Sequence, residues 1–279
     1  MKVMLAHRKY EQQKIHLPIF AQPKLNGIRA YAKWSKDGSS VVIATRNNVI
    51  IPQEVLPRLY KGMEALPKDT ILDGELYVHG WPLQRILGAV NRKTPNEDSE
   101  KVNLHCFDCY IRGKKAASFA ERFMHKSLIH FPLGSGLEHV FTQSITSLDD
   151  LDHFHVACVS RGYEGTMIRY GACQYLQDKR NPQLMKRKDW KDMDCVILGV
   201  NEGKKTEIDG KYQGTTGSLR LRVEDGEEEF SAGSGLTDKD RDELWEKRKD
   251  IKGKAKVKYE MLSNAGVPLK PVILGYELS

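Results

Sequence analysis

The sequence has few cysteines and no long apolar stretch. Its five cysteines are an odd number without paired spacing, which favours free thiols in a reducing compartment over a disulfide framework. No apolar run approaches the roughly 20 residues of a membrane span, and residues 1–16 lack the apolar core of a secretory signal. We therefore expect a cytoplasmic protein without a membrane partner.

A zinc site is also not expected. Cys106 and Cys109 flank two residues of a strand-like segment, where their side chains cannot both turn toward one metal ion. No second C-x-x-C pair and no paired histidines accompany them. The cysteines therefore indicate no metal centre.

The charge is unevenly distributed along the 279 residues. Residues 1–189 contain 28 Lys and Arg against 19 Asp and Glu, whereas residues 190–279 contain 16 against 18. A basic surplus in the first part favours a polyanionic partner whose binding weakens with salt. A basic protein without such a partner is the alternative that charge alone leaves open. The apolar content of 40% and charged content of 29% are typical of globular proteins, and the length suffices for two domains.

A lysine nucleophile is predicted at Lys24, within the stretch AQPKLNGIR of residues 21–29. A lysine amine attacks phosphorus only when unprotonated, and at an ordinary pKa near 10.4 about one molecule in a thousand qualifies at neutral pH. Burial or neighbouring cations would favour the neutral amine. Gly27 would let backbone and phosphate approach closely. The alternative is a surface turn with a Lys and an Arg.

Further charged and aromatic residues follow in strand-like segments. Two carboxylates surround a glycine in the apolar run ILDGELYV of residues 71–78, and buried carboxylates need cations or hydrogen-bond donors. Lys186 and Lys188 lie two residues apart, hence on one face if the segment is extended. Each segment alone is also compatible with an ordinary strand acid, a core aromatic or a solvated charge run.

Taken in order, these segments resemble the nucleotidyltransferase motifs of the ATP-dependent polynucleotide ligases and of the related mRNA capping enzymes. The segment from Lys24 to Arg29 is similar to the lysine motif K-x-[DN]-G-x-R. The other similarities are Arg46 to the strand arginine of the next motif, Asp73-Gly74-Glu75 to D-G-E, Phe107-Asp108 to the aromatic-acid motif, Glu164-Gly165 to E-G, and Lys186-Arg187-Lys188 to K-x-K. Within the family, the sequence most resembles small viral DNA ligases without an N-terminal DNA-binding domain. If it is virally encoded, the resemblance implies the host cytoplasm.

The resemblance implies an ATP-dependent DNA ligase that seals nicked double-stranded DNA through lysyl-AMP and DNA-adenylate intermediates, and we expect a monomer. Lys24 would attack the α-phosphate of ATP. The other implied roles are adenine-edge recognition by Gln22, adenine stacking by Phe107, sugar or phosphate binding by Arg29, α-phosphate neutralisation by Lys186 and Lys188, Mg²⁺ binding by Glu75 and Glu164, ribose contact by Glu75, and nucleic-acid phosphate binding by Arg46.

The sequence departs from the family pattern at two places. Asn26 stands where most DNA ligases have Asp, so a charge-based role of that acid is lost although amide and carboxylate have nearly the same shape. Small DNA ligases end with an arginine-rich motif that orients pyrophosphate, but residues 270–277 contain no arginine. Either Lys270 or another base substitutes, or self-adenylylation is slower than usual.

The alternation of strands and helices predicts an α+β fold. Strands are expected near residues 41–45, 70–78, 104–111 and 164–170, with helices opened by Ser118 and Ser147. After residue 190, strands are expected at 194–200, 219–223, 254–261 and 272–278, with a helix over 237–250. The resemblance implies that residues 1–189 form an adenylyltransferase domain with antiparallel sheets and flanking helices. It also implies that residues 190–279 form a small β-barrel OB-fold domain.

A Gly-rich segment with three lysines interrupts the C-terminal domain. Lys204, Lys205 and Lys211 lie within residues 201–218, where small viral ligases have an insertion that closes around DNA. We expect these lysines to bind nucleic acid, the alternative being a hairpin loop without a role. Two further hypotheses stay open: an RNA ligase, which would not predict the OB-like C-terminus, and a catalytically incomplete nucleic-acid-binding relative.

Overall fold

The computed structural model describes residues 1–7, 10–203, 214–224, 226–263 and 265–279. It divides the chain into two compact units, Met1–Lys188 and Asp189–Ser279. Mixed sheets with flanking helices confirm the predicted α+β class. In the described part of the chain, no helix is both long enough and apolar enough to span a bilayer.

The first unit contains two main sheets, in which most neighbouring strands are antiparallel. Its strands are β1 (Leu5–Ala6), β2 (Ile19–Lys24), β3 (Ile28–Trp34), β4 (Val41–Thr45), β5 (Thr70–Tyr77), β6 (Asn103–Ile111), β7 (Leu137–His139), β8 (Gln143–Ile145), β9 (Gly165–Tyr170), β10 (Arg180–Asn181) and β11 (Leu184–Arg187). Its α-helices are α1 (Pro57–Met63), α2 (Leu83–Val90), α3 (Glu97–Lys101), α4 (Phe119–Ser127) and α5 (Leu148–Ser160).

The order of the strands places the predicted motifs on two sheets. The larger sheet has the order β4-β3-β5-β6-β7, and the smaller sheet has the order β11-β9-β2-β8. The larger sheet therefore carries Arg29, Glu75 and Phe107, while the smaller one carries Lys24 and Lys186. Short strands β1 and β10 form a separate parallel pair.

Local sequence signals account for the helix starts. The Ser118 side chain accepts the N–H of Glu121 and the Glu121 carboxylate accepts the N–H of Ser118, so α4 begins with the predicted capping box. Ser147 accepts the N–H of Asp150 at the start of α5. α5 packs its buried residues against the smaller sheet, whereas α1 and α2 cover the larger one.

The second unit contains a five-stranded antiparallel sheet of order β14-β13-β12-β15-β18. Its elements are β12 (Lys191–Glu202), β13 (Thr216–Val223), β14 (Glu229–Ala232), α6 (Asp238–Glu246), β15 (Gly253–Tyr259), β16 (Met261–Leu262), β17 (Pro268–Leu269) and β18 (Val272–Leu278). An isolated β-bridge links Ser234, which follows the edge strand β14, with Val272 of β18, the strand at the opposite edge of the sheet. The core of this unit lies between the sheet and Leu244 of α6.

Helix α6 is shorter than predicted. A capping box between Thr237 and Asp240 starts it as the sequence suggests, but it ends at Glu246 rather than near Asp250. Lys247 is already its C-cap, and the next residues form a turn. The run of charged residues after Glu246 has no apolar side chain to pack on the core before Ile251, so helix propensity alone does not extend the element.

Candidate active site

A cavity of about 660 Å³ is lined by residues from both sheets of the first unit. Most of the predicted nucleotide-binding residues line it, namely Gln22, Lys24, Arg29, Glu75, Phe107 and Lys186, together with Arg46, which was predicted to bind nucleic acid. The volume is that of a small-molecule pocket. Glu164 and Lys188 do not line the cavity. Glu164 forms an ion pair with Lys24, and Lys188 forms an ion pair with Glu164.

Lys24 lies at the end of β2 beside a buried carboxylate. The Nζ atoms of Lys24 and Lys188 both form ion pairs with the carboxylate of Glu164, and the Glu164 N–H donates to the Lys24 carbonyl at 3.0 Å. Burial favours the neutral acid, but the positive charges of Lys24 and Lys188 together lower the pKa of Glu164. Glu164 is therefore ionised at neutral pH and orients both amino groups.

The glycines of two motifs are needed for close backbone packing. A Cβ atom at Gly27 would lie 2.2 Å from the Leu76 carbonyl oxygen, and one at Gly165 would lie 2.2 Å from the Arg187 carbonyl oxygen. Gly165 also has φ +144°, which L side chains rarely adopt. The sequence suggested that Gly27 lets the backbone approach a phosphate. In the structure, the backbone at Gly27 instead packs closely against the backbone of β5.

Glu75 lies in β5 opposite Arg29 of β3. One of its carboxylate oxygens, Oε1, accepts the Gly27 N–H at 3.2 Å. Burial raises its pKa to about 7, although the charges of Lys24 and Arg29 and the Gly27 N–H act in the opposite direction. A cation bound in the cavity would therefore compete with a proton for this carboxylate.

Arg29 is fixed by Asp73, the other carboxylate of the D-G-E segment. The Arg29 Nε donates to Asp73 Oδ1 at 3.1 Å and Nη2 donates to Oδ2 at 2.7 Å, which is the bidentate geometry that arginine favours. The Tyr175 hydroxyl donates to the same Oδ2 at 2.6 Å. Asp73 thus holds Arg29 at the cavity wall.

Two guanidinium groups lie near the Phe107 ring. The Arg29 Cζ is 5.2 Å and the Arg169 Cζ is 5.3 Å from the centroid of its ring. Cations over an aromatic face are attracted by the ring quadrupole. Phe107 is half-buried and lines the cavity, so its ring is accessible to a bound base.

The neighbouring residue, Asp108, is completely buried between two arginines. Arg122 of α4 binds it through Nε at 2.8 Å and Nη2 at 3.0 Å, and Arg169 of β9 binds it through Nη1 at 2.5 Å. Burial opposes ionisation, but Arg169 and Arg122 hold the pKa of Asp108 below its usual value. One carboxylate therefore joins β6, α4 and β9.

The Gln22 amide is engaged within the protein. Its Nε2 donates to the Phe107 carbonyl and to Thr142 Oγ1, both at 2.9 Å, and its Oε1 accepts from Arg169 Nε at 3.2 Å. The side chain is buried. Recognition of an adenine edge by Gln22 stays a prediction and would use the remaining lone pair or replace one of these bonds.

The predicted phosphate ligands lie at different depths. Arg46 is exposed at the cavity rim, with its N–H donating to the Arg29 carbonyl at 2.9 Å. Lys186 lies in β11 opposite Met167 of β9, and both line the cavity. Lys204, Lys205 and Lys211 lie outside the described residues.

Sequence reasoning missed several cavity residues. Arg169, a buried charge in the apolar strand β9, could have been found because such a charge requires a partner. The N-terminal residues Lys2, Val3 and Leu5 also line the cavity, next to β10. No sequence signal marks them, because their position depends on the pairing of β1 with β10.

The carboxylates fit a divalent cation to different degrees. Among the described residues, no group of three or more His, Cys, Asp and Glu side chains converges on one point. Mg²⁺ needs no such group, since it commonly binds one or two carboxylates together with substrate phosphates. Glu75, with its raised pKa, fits this role better than Glu164, whose carboxylate is shared by two ammonium groups.

Comparison with protein families gives two matches along the chain. Residues 3–188 match the model of the ATP-dependent DNA ligase domain, and residues 209–276 match that of the DNA ligase OB-like domain. The fold is thus a nucleotidyltransferase domain followed by an OB-fold domain, as predicted.

The curated relatives are DNA ligases. The DNA ligase of African swine fever virus, isolate Pig/Kenya/KEN-50/1950, is 27% identical over 195 residues, covering 66% of this chain and 45% of the relative. That of Halobacterium salinarum strain R1 is 26% identical over 240 residues, covering 78% of this chain and 41% of the relative. The chain spans less than half the length of these relatives.

Solved structures of similar length share the fold. One described as a Lig E DNA ligase that binds DNA with a minimal scaffold has a TM-score of 0.77 at 25% identity, with 99% of each chain covered. A Chlorella virus DNA ligase-adenylate has a TM-score of 0.55 at 24% identity, covering 99% of this chain and 98% of the other.

The buried Asp108 generates a stability prediction. Asp108→Asn leaves Arg122 and Arg169 facing a neutral amide, and we expect the free energy of unfolding of the first unit to fall by about 3 kcal/mol at neutral pH. The change in the free energy of unfolding is measured by hydrogen exchange of the backbone amides of β6. Asp152→Asn, which removes a partly exposed ion pair with Arg187, should cost less than about 1 kcal/mol.

The effect of Asp108→Asn should depend on pH. The pKa of Asp108 is lower in the folded chain than in the unfolded chain, where it is 3.8. Ionisation of Asp108 therefore stabilises the fold fully at pH values above 3.8. This contribution is lost as the pH falls through the pKa of the folded state. The difference between wild type and variant should be constant near neutral pH and shrink in acid. Equal exchange at pH 7 would contradict the role of the ion pairs.

Proposed function

The chain belongs to the family of ATP-dependent DNA ligases, and we propose that it seals 5′-phosphate/3′-hydroxyl nicks in duplex DNA with ATP. The observation that carries this proposal is the amino group of Lys24, which lies in a nucleotide-sized cavity and is held by Glu164 beside Lys188. The resemblance of residues 24–29 to the lysine motif assigns the nucleophile to this amine. Nicked double-stranded DNA is the proposed partner, and we propose that a monomer acts on it.

The first step is attack of the Lys24 amine on the α-phosphorus of ATP. Before attack, the Lys24 ammonium that is ion-paired with Glu164 loses one proton to solvent. A P–N bond then forms, the bond from the α-phosphorus to the bridging oxygen breaks, pyrophosphate leaves and the nitrogen loses a second proton to solvent. Glu164 orients the amine before attack, while Lys186 and Lys188 neutralise charge on the α-phosphate. Positioning and charge stabilisation are the main contributions that phosphoryl transfer requires from a protein.

The nucleotide is oriented by the cavity wall. Phe107, backed by Arg29 and Arg169, offers its ring to adenine. Arg29, held by Asp73, is proposed to bind the sugar or a phosphate, and Glu75, which lines the cavity, is proposed to contact the ribose. The bidentate pair reduces the conformational entropy that Arg29 loses on binding.

Two transfers follow on DNA. An oxygen of the 5′-phosphate attacks the phosphorus of lysyl-AMP, so the P–N bond breaks and a DNA-adenylate forms. The 3′-hydroxyl then loses a proton and attacks the 5′-phosphorus, releasing AMP. Arg46, exposed at the rim, is proposed to bind the nick phosphate.

Glu75 and Glu164 are the proposed Mg²⁺ ligands. When bound, the ion would supply charge stabilisation at the reacting phosphates. The raised pKa of Glu75 implies that positive charge near it favours its ionised form.

Lys24→Ala should abolish the protein–AMP adduct and leave binding of nicked DNA largely intact, because the amine is the nucleophile but only one of many basic groups. Lys24→Arg should fail as well, since arginine stays protonated. Incubation with Mg²⁺ and α-labelled ATP measures the adduct, with Lys14→Ala, at an exposed ion pair, as the control. An undiminished adduct in Lys24→Ala would refute the assignment.

Glu75→Ala and Glu164→Ala should each reduce ligation at least about a hundredfold, the loss typical when electrostatic stabilisation at a reacting centre is removed. Rates are measured across Mg²⁺ concentrations on nicked DNA and on a nicked RNA duplex. Glu138→Ala, at a half-exposed acid of β7, is the control. A variant that ligates normally removes that residue from the site, and preferential sealing of RNA would favour the RNA ligase hypothesis.

Lys204, Lys205 and Lys211 are proposed to contact DNA phosphates. Their combined replacement by Ala should raise the KM for nicked DNA and reduce its salt dependence, because each phosphate contact releases counterions. Ligation is measured against DNA concentration at two ionic strengths. The control replaces three exposed lysines on and after α6, Lys239, Lys247 and Lys249, which changes the charge equally. Unchanged curves, or equal effects in both triple variants, would contradict a specific contact.

A further inference from the structure

Three rings connect the two sheets of the first unit beside the candidate active site. The Tyr77 hydroxyl and His79 Nδ1 share a hydrogen bond of 2.9 Å. The His79 and Tyr163 ring centroids are 4.8 Å apart with an interplanar angle of 53°. We call Tyr77, His79 and Tyr163 the aromatic bridge.

The aromatic bridge begins and ends next to the two carboxylates of the site. Tyr77 lies two residues after Glu75 in β5, hence on the same face of that strand. Tyr163 directly precedes Glu164 and the start of β9. Because β5 and β9 belong to different sheets, the bridge holds these sheets together at the position of Glu75 and Glu164.

Tyr163 is the part of the bridge that packs most widely. Its side chain contacts the apolar core of the larger sheet and also the core between the smaller sheet and α5. Its N–H donates to the Cys158 carbonyl at the end of α5, and the next N–H, of Glu164, donates to the Lys24 carbonyl, both at 3.0 Å. Two hydrogen bonds therefore fix the backbone on the N-terminal side of the Glu164 Cα.

Small displacements of Glu164 would matter because its carboxylate serves two ammonium groups at once. Its side chain is only 11% exposed, and both Lys24 and Lys188 depend on it for their ion pairs. Tyr163 and His79 are not among the residues that line the cavity. Their loss would therefore affect the orientation of Lys24 more than the binding of ATP.

We propose that Tyr163, whose ring is tilted against His79, is a positioning residue that holds Glu164 between Lys24 and Lys188 for lysine adenylylation. This inference rests on the proposed function, since it presupposes that Lys24 accepts AMP. The positioning role is assigned to the Tyr163 ring, because the ring contacts His79 and packs against the two cores. A flat ring at residue 163 is thus required.

The test compares Tyr163→Leu with Tyr163→Phe in the full chain, using rapid-mixing measurements of adduct formation from α-labelled ATP. Tyr163→Leu should slow the adenylylation rate constant about tenfold, a loss within the range that misplacement of a reacting group produces. The concentration of ATP giving half-maximal rate should stay within about twofold. Tyr163→Phe should retain the wild-type rate, and His79→Ala should reduce the rate less than Tyr163→Leu, because the two cores still hold the ring.

A double mutant separates positioning from general destabilisation. In the Glu164→Gln background, Tyr163→Leu should have almost no further effect on the rate, because there is no carboxylate left to position. Titration of active sites by burst amplitude corrects each rate for unfolded protein. Additive losses in the double mutant, or a weakened ATP dependence with an unchanged maximal rate, would overturn the proposal. Absence of any adduct in the wild-type protein would instead refute the proposed function.

Discussion

The two sheets of the first unit meet across one buried carboxylate, and the geometry of the cavity depends on it. Asp108 in β6 binds Arg122 of α4 and Arg169 of β9. Arg169 also donates a hydrogen bond to the Gln22 amide oxygen, and its guanidinium lies near the Phe107 ring. Removal of the carboxylate would leave two desolvated guanidinium groups, so the fold tolerates this buried charge only as a complete network.

The other charges of the site are also paired, with one exception. Asp73 forms an ion pair with Arg29, and Glu164 forms ion pairs with two lysines, whose charges lower the pKa of Glu164. Glu75 accepts the Gly27 N–H, and burial raises its pKa to about 7 although Lys24 and Arg29 act in the opposite direction. Additional positive charge would favour its ionised form, which is the property expected of a carboxylate that binds a metal ion.

Features that depend on local sequence could be predicted, whereas features that depend on distant contacts could not. The capping residues Ser118 and Ser147 act within one helical turn, and the helices begin where predicted. The clustering of Lys24 with Glu75 and Phe107 followed from a resemblance spanning several motifs. The partner of Arg29 was not predicted in this way, because Asp73 reaches it only after β3 pairs with β5, and the hydroxyl of the distant Tyr175 then binds Asp73. Gln22 likewise belongs to the expected cavity, but its amide partners could not be read from the sequence.

The missing C-terminal arginine bears on the first chemical step in particular. Lys270, one substitute that the sequence offers, forms an ion pair with Glu260 at 2.6 Å, in which the lysine is 68% exposed. Its partner Glu260 is only 11% exposed, so this ion pair holds Lys270 within the second unit. Lys186 and Arg29 line the cavity of the first unit, and Lys188 lies beside Glu164. The charge on an α-phosphate can therefore be balanced by cations of the first unit alone.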